Sequence, residues 1–143
     1  MANDCETWIR INSNIISFDT LRKTIIEGFE HNGRKWECPF RYGDQTDDID
    51  GANPDPMYIN QVYGISRWEL DAEYGFALHS HLRSMDKNVI LFVIEEDEMC
   101  QWMRFRIHHG DSEVEWHSYE DSNEEEGFNR FDIAEDVFLR EAA

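Results

Sequence analysis

The stretch that decides the fold is residues 89–116, VILFVIEEDEMCQWMRFRIHHGDSEVEW. Residues 89–94 are continuously apolar, as a central strand covered on both faces requires. The run is too short to cross a membrane. Met99, Met103, Phe105 and Ile107 then alternate with Trp102, Arg104, Arg106 and His108. We expect the first set to point inward and the second outward. Gly110-Asp111 is a turn, after which Val114 and Trp116 point inward with Glu113, Glu115 and His117 opposite. The pattern predicts a three-strand meander.

Working back from the meander, residues 76–85 suit a short helix on Leu78, Leu82 and Met85. Trp68, Leu70, Ala72 and Tyr74 alternate with charged residues and read as a strand with one wet face, ended by Gly75. Residues 34–65 have no sustained period and carry all three prolines, so they read as a long loop with at most a short strand near Met57 to Val62. Loops of that length are often functional. Residues 8–12 form a first strand. The clearest helix follows, capped by Ser17 and carrying Phe18, Leu21, Ile25 and Phe29 on one face, with Asn32-Gly33 as its stop. At the far end, residues 131–139 suit a short helix with Ile133, Val137 and Phe138 on one side.

Strands and helices in this order predict an α+β fold. We expect a mostly antiparallel sheet with helices on one face, in a ferredoxin-like or split βαβ arrangement, with a long acidic loop. One domain spans residues 1–121, and residues 122–143 form an acidic tail.

The chain has 143 residues, with 31 Asp+Glu against 13 Lys+Arg and a net charge of −18. Its 13% aromatic content argues against disorder. The charge argues against direct nucleic-acid binding and against anionic membranes, both of which need Lys and Arg. Residues 1–41 hold six acids and six bases, so the remaining 102 residues carry the whole excess. The opening residues lack a basic-then-apolar secretion signal, and Cys5, Cys38 and Cys100 are odd in number and scattered. Both features suggest a reduced, cytoplasmic protein.

The acids cluster at Asp44, Asp47, Asp48 and Asp50, at Glu95, Glu96, Asp97 and Glu98, and at Glu113, Glu115, Glu120, Asp121, Glu124, Glu125 and Glu126. These are the candidate partner-binding residues. The run from Glu95 is expected at a strand end, screened by water.

Chemistry-bearing constellations are weaker. Residues 46–57 resemble a calcium loop, but Thr46 and Met57 stand where Asp and a bidentate Glu are needed. His79, His81, His108, His109 and His117 lack zinc-ligand spacing, and surface or hydrogen-bonded histidine is the simpler reading. There is no GxSxG, phosphate loop or Cys-His signature. Trp102, Arg104 and Arg106 could bind an anion, but pairing with Glu113 and Glu115 across the turn explains them more simply. We therefore expect no catalytic residues, no metal and no cofactor.

Met1, Ala2, Asn3 and Cys5, followed by Ile9 and Ile11, resemble the opening of YubB-like ferredoxin-domain proteins of bacteriophages and conjugative plasmids. Tyr63, Gly64, Arg67 and Trp68, leading into an alternating segment, are similar to a second part of that family. The resemblance implies a ferredoxin-like fold and a mobile-element setting, and it carries over no activity.

Rows of carboxylates on a sheet, roughly 6–7 Å apart along a strand and about 5 Å between strands, can imitate DNA phosphates. The expectation is a non-enzymatic inhibitor acting in the cytoplasm of a bacterial host. Its partner would be a basic nucleic-acid-binding defence protein, such as a restriction enzyme or CRISPR effector. The rival is an accessory protein that binds another protein through Met57, Tyr58, Val62 and Tyr63, its acidity serving solubility. Oligomeric state is not legible.

Overall fold

The computed structural model describes residues 4–46, 61–67, 70–97 and 103–118. Five strands form one antiparallel sheet: β1 (Asp4–Asn12), β4 (Val62–Arg67), β5 (Ile90–Asp97), β6 (Met103–His109) and β7 (Ser112–Ser118). Their spatial order is β4-β1-β5-β6-β7. Two helices, α1 (Phe18–Glu27) and α2 (Ala72–Arg83), and a hairpin of β2 (Phe29–His31) and β3 (Arg34–Trp36) complete the described chain. This is an α+β architecture. β4 and β5 are each antiparallel to β1, which lies between them, so they run parallel and α2 connects them as a split βαβ unit. The meander of β5, β6 and β7 extends that unit on one side.

Both helices pack on one face of the sheet. Leu21 and Ile25 of α1, and Tyr74, Leu78 and Leu82 of α2, share a buried cluster with Ile9, Val62, Leu91 and Val93 from the strands. Two cross-links fix the ends of this layer. Ser17 caps α1 by accepting from the Thr20 N–H at 3.1 Å. Ser13 donates to Asp86 at 2.6 Å, tying the β1–α1 turn to the turn before β5.

The first departure from the sequence reading is at the end of the first helix. The first helix ends at Glu27 with Gly28 as its cap, one turn before the expected stop. Asn32 and Gly33 both have positive φ and form the turn of the β2–β3 hairpin. An Asn-Gly pair suits such a turn as well as it suits a helix stop. Phe29 is buried in either reading, so the apolar pattern does not distinguish them.

The second departure concerns residues 68–85. The strand expected on Leu70, Ala72 and Tyr74 is the start of α2, with Asp71 as its N-cap. Leu70, Tyr74, Leu78 and Leu82 are four apart, and all four are buried. The alternation covered too few residues to outweigh that period. The strand sits earlier, at Val62–Arg67, mostly in the segment expected to be loop. Met85 lies beyond the helix and is exposed. The expected strand near Met57, the candidate calcium positions after Thr46 and the tail helix at 131–139 lie outside the described residues.

The outer edge of β4 is closed by the chain itself. The Arg41 N–H donates to the Ile65 carbonyl at 2.7 Å, and the Gln45 N–H donates to the Tyr63 carbonyl at 3.1 Å. Phe40 lies over Gly64, where an added Cβ would fall 2.2 Å from the ring. Gly64→Ala should therefore cost about 1–3 kcal/mol of folding stability in urea titration. In a Phe40→Leu background the penalty should shrink, and an additive double-mutant cycle would refute this contact.

Candidate functional site

The most concentrated chemistry among the described residues lies between α2 and the β5–β6–β7 meander. Residues of β5 with the parity of Leu91 and Val93 face the helices, which places Glu95 on the same side. The register sets Glu95 opposite Arg104, Val93 opposite Arg106, and Leu91 opposite His108. Arg104, Arg106 and His108 therefore face α2 and are buried. This corrects the expected outward orientation of that set. Phe105 and Ile107 lie on the opposite face of the sheet, also buried.

Glu95 is fully buried and is the centre of an ion network. Its Oε1 accepts from Arg104 Nη2 at 2.7 Å and lies 3.8 Å from Arg106 Nη1. Its Oε2 accepts from the Leu70 N–H at 2.7 Å. Arg106 Nη1 donates to the Leu70 carbonyl at 3.3 Å, and Arg106 Nε stands 3.5 Å from Glu115. Both backbone groups of Leu70, one residue before the α2 N-cap, are thus held by the network.

Next to it lies an aromatic and imidazole layer. His79 of α2 and His108 of β6 have ring centroids 5.5 Å apart, and Phe76 meets His108 edge-on at 4.9 Å. His79 Nε2 is 3.2 Å from the Val89 carbonyl, so it carries the proton and donates. Burial lowers the His79 pKa. Burial, reinforced by His79 and Arg106, lowers that of His108 to about 4. Both rings are neutral near pH 7. Burial raises the Glu113 carboxyl, whose Oε2 lies 3.9 Å from His108 Nδ1. A neutral imidazole beside carboxylates resembles acid–base machinery, but His108 is only 1% exposed.

The structure places six of the fifteen candidate acids, and it does not gather them into a surface. Glu95, Glu96 and Asp97 belong to β5 and are buried, which corrects the expected water-screened strand end. Burial continues into them along β5. Glu113 is part-buried beside His108, and Glu115 pairs with Arg106 as the cross-strand reading expected. Asp44 receives hydrogen bonds from Arg22 at 2.6 Å and from the Thr46 N–H at 2.9 Å. Burial pushes its carboxyl up, but these donors outweigh it and hold it below the usual range. Asp47, Asp48, Asp50, Glu98, Glu120, Asp121, Glu124, Glu125 and Glu126 lie outside the described residues.

Exposed acids elsewhere on the described surface are interspersed with bases. Asp111 meets Arg83 at 3.1 Å, and Glu73 lies 3.7 Å from Arg34. Arg41 reaches Asp4 at 3.0 Å. Arg34 also stacks on Trp36, 3.7 Å from the ring, at the rim of a cleft of about 410 Å³. No group of three or more His, Cys, Asp or Glu among the described residues could hold a metal ion. Cys5 is buried and Cys38 is half-buried. No described helix is long and apolar enough to cross a membrane. Comparison of the chain with protein-family models, curated proteins and solved structures gives no match.

The buried network was missed because Glu95 was grouped with its acidic neighbours. The available signal was its parity with Leu91 and Val93, matched by Arg104 and Arg106 on the next strand. Glu95→Gln should cost about 3–5 kcal/mol in urea titration, because it leaves two guanidinium groups without their buried anion. The double change Glu95→Leu with Arg104→Met should cost less than the single change, because it removes both members of the closest pair.

The imidazoles give a pH dependence with a definite sign. The folded state holds His108 and His79 below their unfolded pKa of about 6.5, so it binds fewer protons than the unfolded chain. Their stabilisation is complete above about pH 6.5 and is lost as pH falls toward 4. The loss attributable to His108 is of order 3 kcal/mol. Glu113 opposes part of it, since its raised pKa favours the folded state on acidification. Thermal unfolding should show the midpoint falling across that window, with the slope reduced in His108→Gln.

Proposed function

We propose that this chain is a non-enzymatic acidic inhibitor that occupies the basic groove of a nucleic-acid-binding protein in place of DNA. The observation that carries the reading is the partition of charge. The described residues hold 16 acids and 11 bases, and Glu95, in their longest acidic run, is paired with Arg104 inside the fold. The other 49 residues hold 15 acids against only Arg130 and Arg140. The surplus that a basic partner would meet therefore belongs almost wholly to residues 47–60, 98–102 and 119–143, and not to the strand faces of the meander. A compact, internally paired scaffold that carries concentrated carboxylates suits a protein that competes for a Lys- and Arg-lined groove.

The split βαβ unit is the part of the fold that supports a ferredoxin-like reading, and the resemblance of the opening residues to YubB-like proteins supports a mobile-element setting. A host defence nuclease, restriction enzyme or CRISPR effector, met in the bacterial cytoplasm, is the partner class this implies. The rival, binding through Met57, Tyr58, Val62 and Tyr63 with acidity serving only solubility, differs in one measurable respect. It makes affinity insensitive to carboxylate number.

The decisive experiment is capture from a bacterial host lysate, followed by titration of the captured DNA-binding protein against salt. Affinity should fall by about tenfold or more between 50 and 200 mM salt. Neutralising Asp47, Asp48, Glu124, Glu125 and Glu126 together should reduce both the affinity and the slope. An affinity indifferent to both changes would exclude the electrostatic reading.

A further inference from the structure

Side chains of a strand alternate between faces, so a hollow lined by several consecutive residues follows the strand's edge. The cleft of about 410 Å³ is such a hollow. Arg34, Lys35, Trp36 and Glu37 line one side of it, with Leu70 and Tyr74 among the residues opposite. In the hairpin β2 occupies one edge of β3, so the cleft runs along the other. Arg34, Lys35 and Glu37 are exposed there.

The turn decides which backbone groups stand on that edge. Asn32 and Gly33, with φ of 52° and 77°, make a two-residue turn whose flanking residues, His31 and Arg34, form a hydrogen-bonded pair. Bonded and unbonded pairs alternate along an antiparallel ladder. Phe29 and Trp36 are therefore bonded, and Glu30 and Lys35 are not. The N–H and C=O of Lys35 point away from β2, onto the open edge. Among the described residues no backbone bond from elsewhere in the chain meets them. The outer edge of β4, by contrast, is closed by Arg41 and Gln45.

We propose that this edge binds an extended segment of a partner protein, added antiparallel beside β3 as a third strand. One residue of the segment exchanges both backbone bonds with Lys35. Its two neighbours lie opposite Trp36 and Arg34, which both meet α2, at Tyr74 and Glu73. Arg34 stacks on Trp36, and its ion pair with Glu73 is long, 3.7 Å, between side chains 59% and 76% exposed. Such a pair holds the guanidinium weakly. An Asp or Glu fixed opposite Arg34 by the flanking backbone bonds is the better partner. Trp36 is buried against the Tyr74 ring, 6.0 Å between centroids, and favours an aromatic or β-branched residue opposite it. Read from its N-terminus, the segment therefore carries an aromatic or β-branched residue, then any residue, then an acid. Three paired residues need about 10 Å, the length of the three-residue β3.

Two observations favour a foreign acidic segment over a second copy. Two-fold pairing of β3 with itself about Lys35 sets Lys35 opposite Lys35, and like charges directly opposite are destabilising. The stretch that carries this edge, residues 1–41, holds six acids against six bases, so its own charge does not repel an acidic segment. The edge uses none of the carboxylates behind the function proposed above, and the two stand or fall separately.

The test selects phage-displayed nonapeptides against the full chain, and the enriched sequences are then synthesised. They should share the pattern of an aromatic or β-branched residue followed two positions later by an acid. Binding should slow exchange of the Lys35 amide by tenfold or more. N-methylation of the peptide residue between those two positions should weaken binding by tenfold or more, because it removes the donor to the Lys35 carbonyl. N-methylation of either neighbour, whose N–H points away from β3, should leave affinity unchanged. The protein is the same in all three measurements, so a folding defect does not imitate the result. Arg34→Ala should weaken binding several-fold and reduce its dependence on salt. Failure to enrich any peptide, binding that survives N-methylation at every position, or protection of amides in residues 112–118 instead of Lys35 would overturn the proposal. Protection of the Lys35 amide without peptide, in a chain that sediments as a dimer, would overturn it in favour of a second copy.

Discussion

One buried carboxylate sets the geometry of half of this molecule. Glu95 sits at the position where the apolar run of β5 gives way to polar residues, and it faces the helices. A lone ionised group there would be strongly unfavourable, so its partners have to be close and well aligned. Arg104 supplies one contact at 2.7 Å and the Leu70 N–H another at 2.7 Å. Arg106 joins the same oxygen to Glu115 on the neighbouring strand and to the Leu70 carbonyl. The network therefore links three strands of the sheet to the entry of α2. Dispersion contacts allow many helix positions on an apolar sheet, whereas these directional bonds allow few. The neutral His79–His108 layer extends the same constraint along α2.

That arrangement also explains how so acidic a chain keeps a compact fold. Within the scaffold, opposite charges meet at short range in a low-dielectric interior, where their attraction is strongest. The unbalanced carboxylates are allotted to other parts of the sequence.

Much of the fold is legible from the residues, and the failures have physical causes. The α1 cap at Ser17, the central β5, the Gly110-Asp111 turn and the pairing of Arg106 with Glu115 follow from rules that act over a few residues. Where two local rules agree on burial but not on geometry, the sequence is ambiguous. Asn32-Gly33 ends a helix or turns a hairpin with equal ease, and Leu70-to-Tyr74 satisfies both a strand and a helix period. The candidate site fared worse. A run of four acids looks like surface when each residue is counted, yet Glu95, Glu96 and Asp97 are interior, because the covering of β5 depends on contacts from distant parts of the chain. Net charge describes a whole molecule and does not say which carboxylates are already neutralised.

The strap over β4 has a consequence for assembly. Backbone bonds from Arg41 and Gln45 occupy the carbonyls that an incoming strand would seek. Open-ended stacking of sheets requires two free margins on every copy, one to give and one to receive. With one margin already satisfied by its own polypeptide, each molecule is a chain terminator for such growth. Edge pairing through β7 can then give a closed pair but no fibre through this sheet.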